Sequence, residues 1–348
     1  MSEESFFLSR EAWTVRKHAL TAGFLEHFRA DHKGCIEFYC IDTFSYPSSV
    51  NGAKHRGLDH AAHAFGAGPR GIGIKLIKVS AGRKADEASG NPDDLPSGAV
   101  ATMDGKLEQI FPRILSIIGS KPAIVFIDPS SLPTLSFNAL KPILRRKQQH
   151  TEIIIKFDAE AIWQRAVESC LQQCGHTNRC TTVLRQLARI LGLEKLKHVV
   201  SAGPAEALVK NYTLQIAEYG FTAVAHCIRD AVGIRSNSYL IYCTRHPRNV
   251  VVLNDLIRST EDRLLTEFLE RQGVAHTDDA LAADVFLRRQ ELKHLVADLK
   301  KGSEAANLAD NEWRILCERF GEFHQNDFAI DIFAEAEGAN DCNNNVGT

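Results

Sequence analysis

The chain lacks any apolar run of the ~18 to 20 residues needed to cross a bilayer, which argues against a helical membrane protein. Its opening residues, Met-Ser-Glu-Glu-Ser, lack both the basic region and the apolar segment of a secretory signal, so a cytoplasmic location is expected. It also lacks an excess of charge of either sign: 41 Lys and Arg against 43 Asp and Glu leave a net charge of -2. Nothing therefore draws nucleic acid to the whole surface, and such a partner requires a local patch. A disulfide framework is missing too, because nine cysteines is an odd number and they are scattered, the pattern of reduced thiols. Cys40 and Cys243 fall in expected strands and Cys227 in an apolar helical pattern, where a free cysteine acts as a small hydrophobe.

What is present is an alternation of short apolar strands and helical patterns. At 348 residues, 44% hydrophobic and 24% charged, the chain has the length and composition of one large domain with insertions or of two domains. Strands are expected at 36–44, 73–79, 99–103, 123–128, 151–157 and 237–244. Helices are expected near 58–65, at 106–118, within 136–149 and at 249–258, and the intervening 159–232 reads as mostly helical. This order predicts βαβ units and a parallel α/β sheet.

Two of the strands end in acid. The run Lys121-Pro-Ala-Ile-Val-Phe-Ile reaches Asp128-Pro129, and the run from Ile36 reaches Asp42 just before Thr43-Phe44. A third, Ala99 to Met103, ends at Asp104-Gly105. In open α/β sheets the carboxyl ends of parallel strands border the ligand crevice, so these carboxylates are candidate site residues. Pro129 both ends its strand and restricts Asp128.

Other groups carry less. Cys170, Cys174, Cys180 and His176 together contain enough ligands for zinc, but not at the usual paired spacing, and no metal is assigned. His60 and His63 have no sulfur partner nearby. Gly66-Ala-Gly-Pro-Arg-Gly71 precedes a strand instead of following one, the wrong order for a phosphate loop. Lys141, Arg145, Arg146 and Lys147 complement a helix C-terminus, or grip phosphate. Arg235, Arg245 and Arg248 offer a phosphate-binding rim beside His246. Residues 82–98 read as an exposed loop and 335–348 as a disordered tail. Beyond 260, Leu264, Leu265, Phe268 and Leu269, then 280–286, then Leu292, Leu295, Val296 and Leu299 form three apolar helix faces. They suggest a docking or dimerisation module in preference to a DNA-binding one.

Four pieces in order, Trp13-Thr14-x-x-Lys17-His18, Asp42-Thr43-Phe44, Phe126-Ile127-Asp128-Pro129 and Tyr239 through Thr244-Arg245-His246-Pro247, resemble the three-Cys-motif partner protein family, TcmP, over roughly residues 10 to 260. The resemblance implies a Rossmann-like, methyltransferase-type sheet in a domain spanning 1–260, to which the helical patterns add an insertion at about 159–235 and a C-terminal module at 261–334. It implies S-adenosylmethionine as cofactor, with Asp42, Phe44 and Asp104 binding it, and Asp128, Pro129 and His246 acting on the methyl acceptor. The resemblance does not itself supply the acceptor; nucleic acid is the expected class, and a three-Cys-motif protein or a second copy of the chain is the expected partner. The chain departs from the family where Tyr46 replaces a glycine, where the second strand ends in Val79-Ser80 without an acid, and where Ser130-Ser131 follow Pro129 without an aromatic. Those departures keep a cofactor-losing scaffold or binding subunit open beside the enzyme. A third reading, a metal nuclease on Asp42, Asp104 and Asp128, lacks a partner Lys or Glu at suitable spacing.

Overall fold

The computed structural model describes residues 10–31, 37–43, 73–80, 100–127, 137–147, 150–164, 187, 204–229, 235–273, 277–302, 308–324 and 327. In chain order the elements are helix α1 (Arg10–Asp31), strands β1 (Glu37–Thr43), β2 (Gly73–Ser80) and β3 (Val100–Asp104), helix α2 (Leu107–Ile118), strand β4 (Ala123–Ile127), helix α3 (Phe137–Leu144) and strand β5 (Thr151–Asp158). Helix α4 (Pro204–Ala217), strands β6 (Thr222–Arg229) and β7 (Arg235–Thr244), and helices α5 (Pro247–Arg271), α6 (Thr277–Gly302) and α7 (Leu308–Glu318) follow.

Seven strands among the described residues form one sheet in the order β3-β2-β1-β4-β5-β7-β6. The first five pair in parallel; β7 runs antiparallel to β5, and β6 antiparallel to β7. The central strands are apolar because both of their faces are covered: every residue of β4, Ala-Ile-Val-Phe-Ile, is buried. Alternation sorts the two faces. Tyr39, Ile41, Ile77, Val79, Val125, Ile127, Ile153, Ile155, Ile241 and Cys243 share one hydrophobic cluster with α2, α3 and α4. Helix α2 contributes Leu107, Ile110, Phe111, Ile114 and Ile118, the stripe that a 3.6-residue period places on one side. It ends at Gly119, whose φ of 52° suits glycine and whose N–H returns to the Leu115 carbonyl. Tyr212 of α4 meets Phe137 edge-on, with ring centroids 5.9 Å apart.

Two compact units divide the chain: residues 25–229 with 234–247, which hold the sheet, and residues 1–24, 230–233 and 248–348, which are helical. Helix α5 is continuous through residue 260, so the expected boundary there falls inside a helix. In the helical unit, Ala12 packs with Leu264 and Phe268. Arg16 donates to both oxygens of Glu261 at 2.6 and 2.8 Å in a buried pair. Asn254 donates to the Phe323 carbonyl and accepts from the Gly321 N–H, both at 2.7 Å, which pins the turn that follows α7.

Three readings of the sequence need correction. Residues 222–229, taken as part of a helical segment, form strand β6, so Cys227 lies in a strand. The helical patterns at 280–286 and 292–299 belong to one 26-residue helix, α6. Chain order alone also obscured the reversal of β7, which decides where His246 lies.

Candidate functional site at the carboxyl edge of the sheet

Strands β1 and β4 are neighbours, and the parallel strands on either side continue away from them in opposite directions, β2 and β3 one way and β5 the other. That is the topological switch point, where open α/β sheets leave a crevice at the carboxyl ends of their strands. The end of β1 brings Asp42 and Thr43 there. Asp42 pairs in register with Lys78 of β2 and Phe126 of β4, and Thr43 with Val79 and Ile127. Only 5% of Asp42 is exposed. By alternation it shares its face with Cys40 and Phe126, whereas Thr43 lies on the face of Tyr39 and Ile41.

Thr43 was not singled out in the sequence. Its Oγ1 is buried and has no hydrogen-bond partner among the described residues, at the strand end where a ligand's polar group would meet it.

Strand β3 ends at Asp104, in register with Ser80 at the end of β2. The chain then turns at Gly105, with φ +142°, and enters α2 two residues later. Asp104 is thus at the same edge as Asp42, two strands across and two residues further along. With ~4.8 Å between strands and ~3.3 Å per residue, their Cα atoms lie about 12 Å apart, a span that argues against one metal ion bridged by both carboxylates. Phe44, Asp128 and Pro129, together with Tyr46 and the cluster Cys170, Cys174, His176 and Cys180, lie outside the described residues. Among the described residues no group of three or more His, Cys, Asp or Glu is placed to hold a metal.

His246 does not join this crevice. Because β7 runs against β5, its carboxyl end reaches the amino edge of the parallel strands: Tyr242 is level with Ile154, and the chain continues away from Asp42 through Thr244. Three strand spacings and at least two residues separate His246 from Asp42, about 15 Å or more. There the His246 ring stacks on His150, with centroids 5.0 Å apart and 7° between planes.

Of the arginines read as phosphate grips, Arg146 and Arg245 lie at the amino edge and have another task, whereas Arg235 begins β7 at the opposite edge, so the three-arginine rim expected beside His246 does not form. Arg245 donates to the carbonyls of Arg146 (2.6 Å), Leu144 (2.8 Å) and Tyr219 (3.1 Å), and its guanidinium lies 4.0 Å from the Phe221 ring centroid. Arg146 donates to Thr151 Oγ1 (2.7 Å) and to the carbonyls of Gly119 and Lys121. These guanidiniums tie the ends of α2 and α3 to the start of β5. Burial, aided by Arg245, brings the Arg146 pKa down to about 10. Nearby, Lys121 and Lys75 hold the Glu37 carboxyl below its usual range, and both ammonium groups sit 5.7 Å from the Tyr39 ring centroid.

On the face that carries Asp42, a polar pair is buried in the sheet: the Tyr242 hydroxyl donates to Glu152 at 2.5 Å. Burial first, and then the Glu152 carboxylate, push the Tyr242 pKa well above its ordinary value. The sequence signal was Glu152 itself, an acid in the otherwise apolar strand Thr-Glu-Ile-Ile-Ile-Lys-Phe.

No helix among the described residues is long and apolar enough to cross a membrane. Comparison with protein-family models finds no match to the chain, and neither does comparison with curated proteins.

Proposed function

We propose that this chain is a methyltransferase-type protein, similar to the three-Cys-motif partner family, that binds S-adenosylmethionine at the carboxyl edge of its sheet and acts on nucleic acid. The observation that carries the reading is the strand order β3-β2-β1-β4-β5-β7-β6 with β7 alone reversed. The dinucleotide-binding sheet has the order 3-2-1-4-5-6, all parallel. A reversed strand inserted between the fifth and sixth is the feature of the Rossmann-like methyltransferase sheet.

The residues at the switch point fit such a cofactor in kind. Asp42, and Asp104 at the end of β3, supply carboxylates for its amino and hydroxyl groups, and the Thr43 Oγ1, without a partner among the described residues, supplies a further polar contact. The cofactor, when bound, supplies an activated methyl group; the chain's own residues bind it and orient the acceptor. Asp128 and Pro129, next along from β4, are the proposed acceptor-side residues, and Phe44 the proposed apolar wall beyond β1.

A second reading, a binding subunit that has lost the cofactor, is favoured by one feature: β2 ends at Ser80, with no acid where a ribose would be held. Isothermal titration with S-adenosylmethionine and S-adenosylhomocysteine separates the two. The expected result is saturable binding that Asp42→Ala abolishes. Absence of heat for both ligands at high micromolar concentration refutes the cofactor-binding reading of the isolated chain.

A further inference from the structure

We propose that the chain pairs with a second copy of itself through the outward stripe of α6, in an antiparallel, two-fold arrangement. Helix α6 turns Arg288, Leu292 and Val296 inward. At 100° per residue the opposite line runs through Asp279, Ala283, Phe286 with Leu287, Gln290 and His294. Phe286 is 60% exposed and Leu287 66%, more than any other large hydrophobic among the described residues. Adjacent apolar side chains held in water at the middle of a long helix mark an interaction surface.

The order of side chains along the stripe identifies the occupant. A two-fold axis passing between Phe286 and Leu287 sets each against the other residue of the partner copy, as an isologous contact requires. The same operation sets Ala283 against the partner's Gln290, a small residue against a longer one. It also sets Asp279, exposed two turns before the apolar pair, against the partner's His294, exposed two turns after it. Acid therefore meets imidazole at both ends of the contact. A parallel pairing would instead put Asp279 against Asp279. A nucleic-acid backbone would meet that same carboxylate, and the apolar pair at the centre of the stripe has no phosphate to recognise.

The contact is at the small end of protein interfaces, so the pair is a concentration-dependent one. Sedimentation velocity on the full chain, from low to high micromolar, tests it. The expected result is a monomer–dimer equilibrium in which Phe286→Glu or Leu287→Glu raises the dissociation constant at least about thirtyfold, as loss of a central apolar anchor does. At concentrations where the parent is monomeric, their circular dichroism and thermal midpoints should match the parent's, because both positions face solvent. Asp279→His alone should weaken pairing, and Asp279→His with His294→Asp should restore it. A chain that stays monomeric throughout, a dimer indifferent to Phe286→Glu, or a charge swap that fails to rescue would overturn the proposal. Capture of a different protein by this stripe in place of a second copy would overturn it as well.

Discussion

Asp262 of α5 is the carboxylate whose environment predicts a measurable acid sensitivity. Burial alone would raise its pKa, but His324 at 3.3 Å, Arg258 one turn before it and Arg288 of α6 at 3.3 Å bring it down to about 2 from an ordinary 3.8. For a side chain that is 27% exposed and so partly screened by solvent, this depression corresponds to roughly 2 kcal/mol. The folded-state value is the depressed one, so this stability is present above the unfolded value near 3.8 and disappears as pH falls through about 2. Urea unfolding followed by far-UV circular dichroism, at neutral pH and at steps from pH 4 to pH 2, compares the parent with Asp262→Asn. At neutral pH the variant should lose about 2 kcal/mol through a lower midpoint at unchanged slope. Between pH 4 and pH 2 the parent should fall towards the variant, closing that gap. Parallel decline of the two proteins over this window would refute the reasoning, since the lost stability would then reside in other groups.

Other perturbations have equally definite outcomes. Arg16→Met leaves the buried Glu261 carboxylate without its bidentate partner and should cost about 3–5 kcal/mol in urea unfolding; Arg16→Met with Glu261→Leu should recover most of that loss. In α1, a Cβ at Gly23 would lie 2.3 Å from Leu256 Cδ2, so Gly23→Ala should destabilise by about 1–3 kcal/mol despite its better helix propensity, and Leu256→Ala in the same chain should relieve the clash. Tyr242→Phe removes the hydroxyl that donates to Glu152 and should cost about 1.5–3 kcal/mol at neutral pH, read as a shift in thermal midpoint.

Buried parallel strands were easy to read because both faces are covered and the apolar run is unbroken, as in β4 and in the Ile-Ile-Ile of β5. Strand β6 escaped because it is the last strand of the sheet: Thr222, Ala223 and Ala225 are half-buried, and its alternation is too shallow to stand out after a helix. Helix α6 was divided in two where Arg288 interrupts the apolar period. The structure buries that arginine against Asp284 and Asp262, so an ion-paired residue occupies a position that a hydrophobe would have advertised. Of the candidate site, Asp42 and Asp104 were legible as acids at the ends of apolar runs. Thr43 was not, since a threonine in a strand carries no signal until its hydroxyl is seen buried and unpaired. His246 was misplaced for a different reason: the resemblance lists strands in chain order, and direction within the sheet is set by pairing.

The two edges of the sheet divide the candidate chemistry between them, and that division decides which substitution tests function. At the amino edge, Arg146 and Arg245 are committed to backbone carbonyls, so charge there holds helices to strands. At the carboxyl edge, Asp42 and Thr43 stand at a switch point, and the buried Thr43 hydroxyl has no hydrogen-bond partner among the described residues. On the proposed cofactor reading, His246→Ala should leave titration with S-adenosylmethionine unchanged, and Asp42→Ala should abolish it. The reverse pattern, binding lost with His246 and kept without Asp42, would move the site to the amino edge and refute the assignment made from strand order, because about 15 Å of packed sheet separates the two residues.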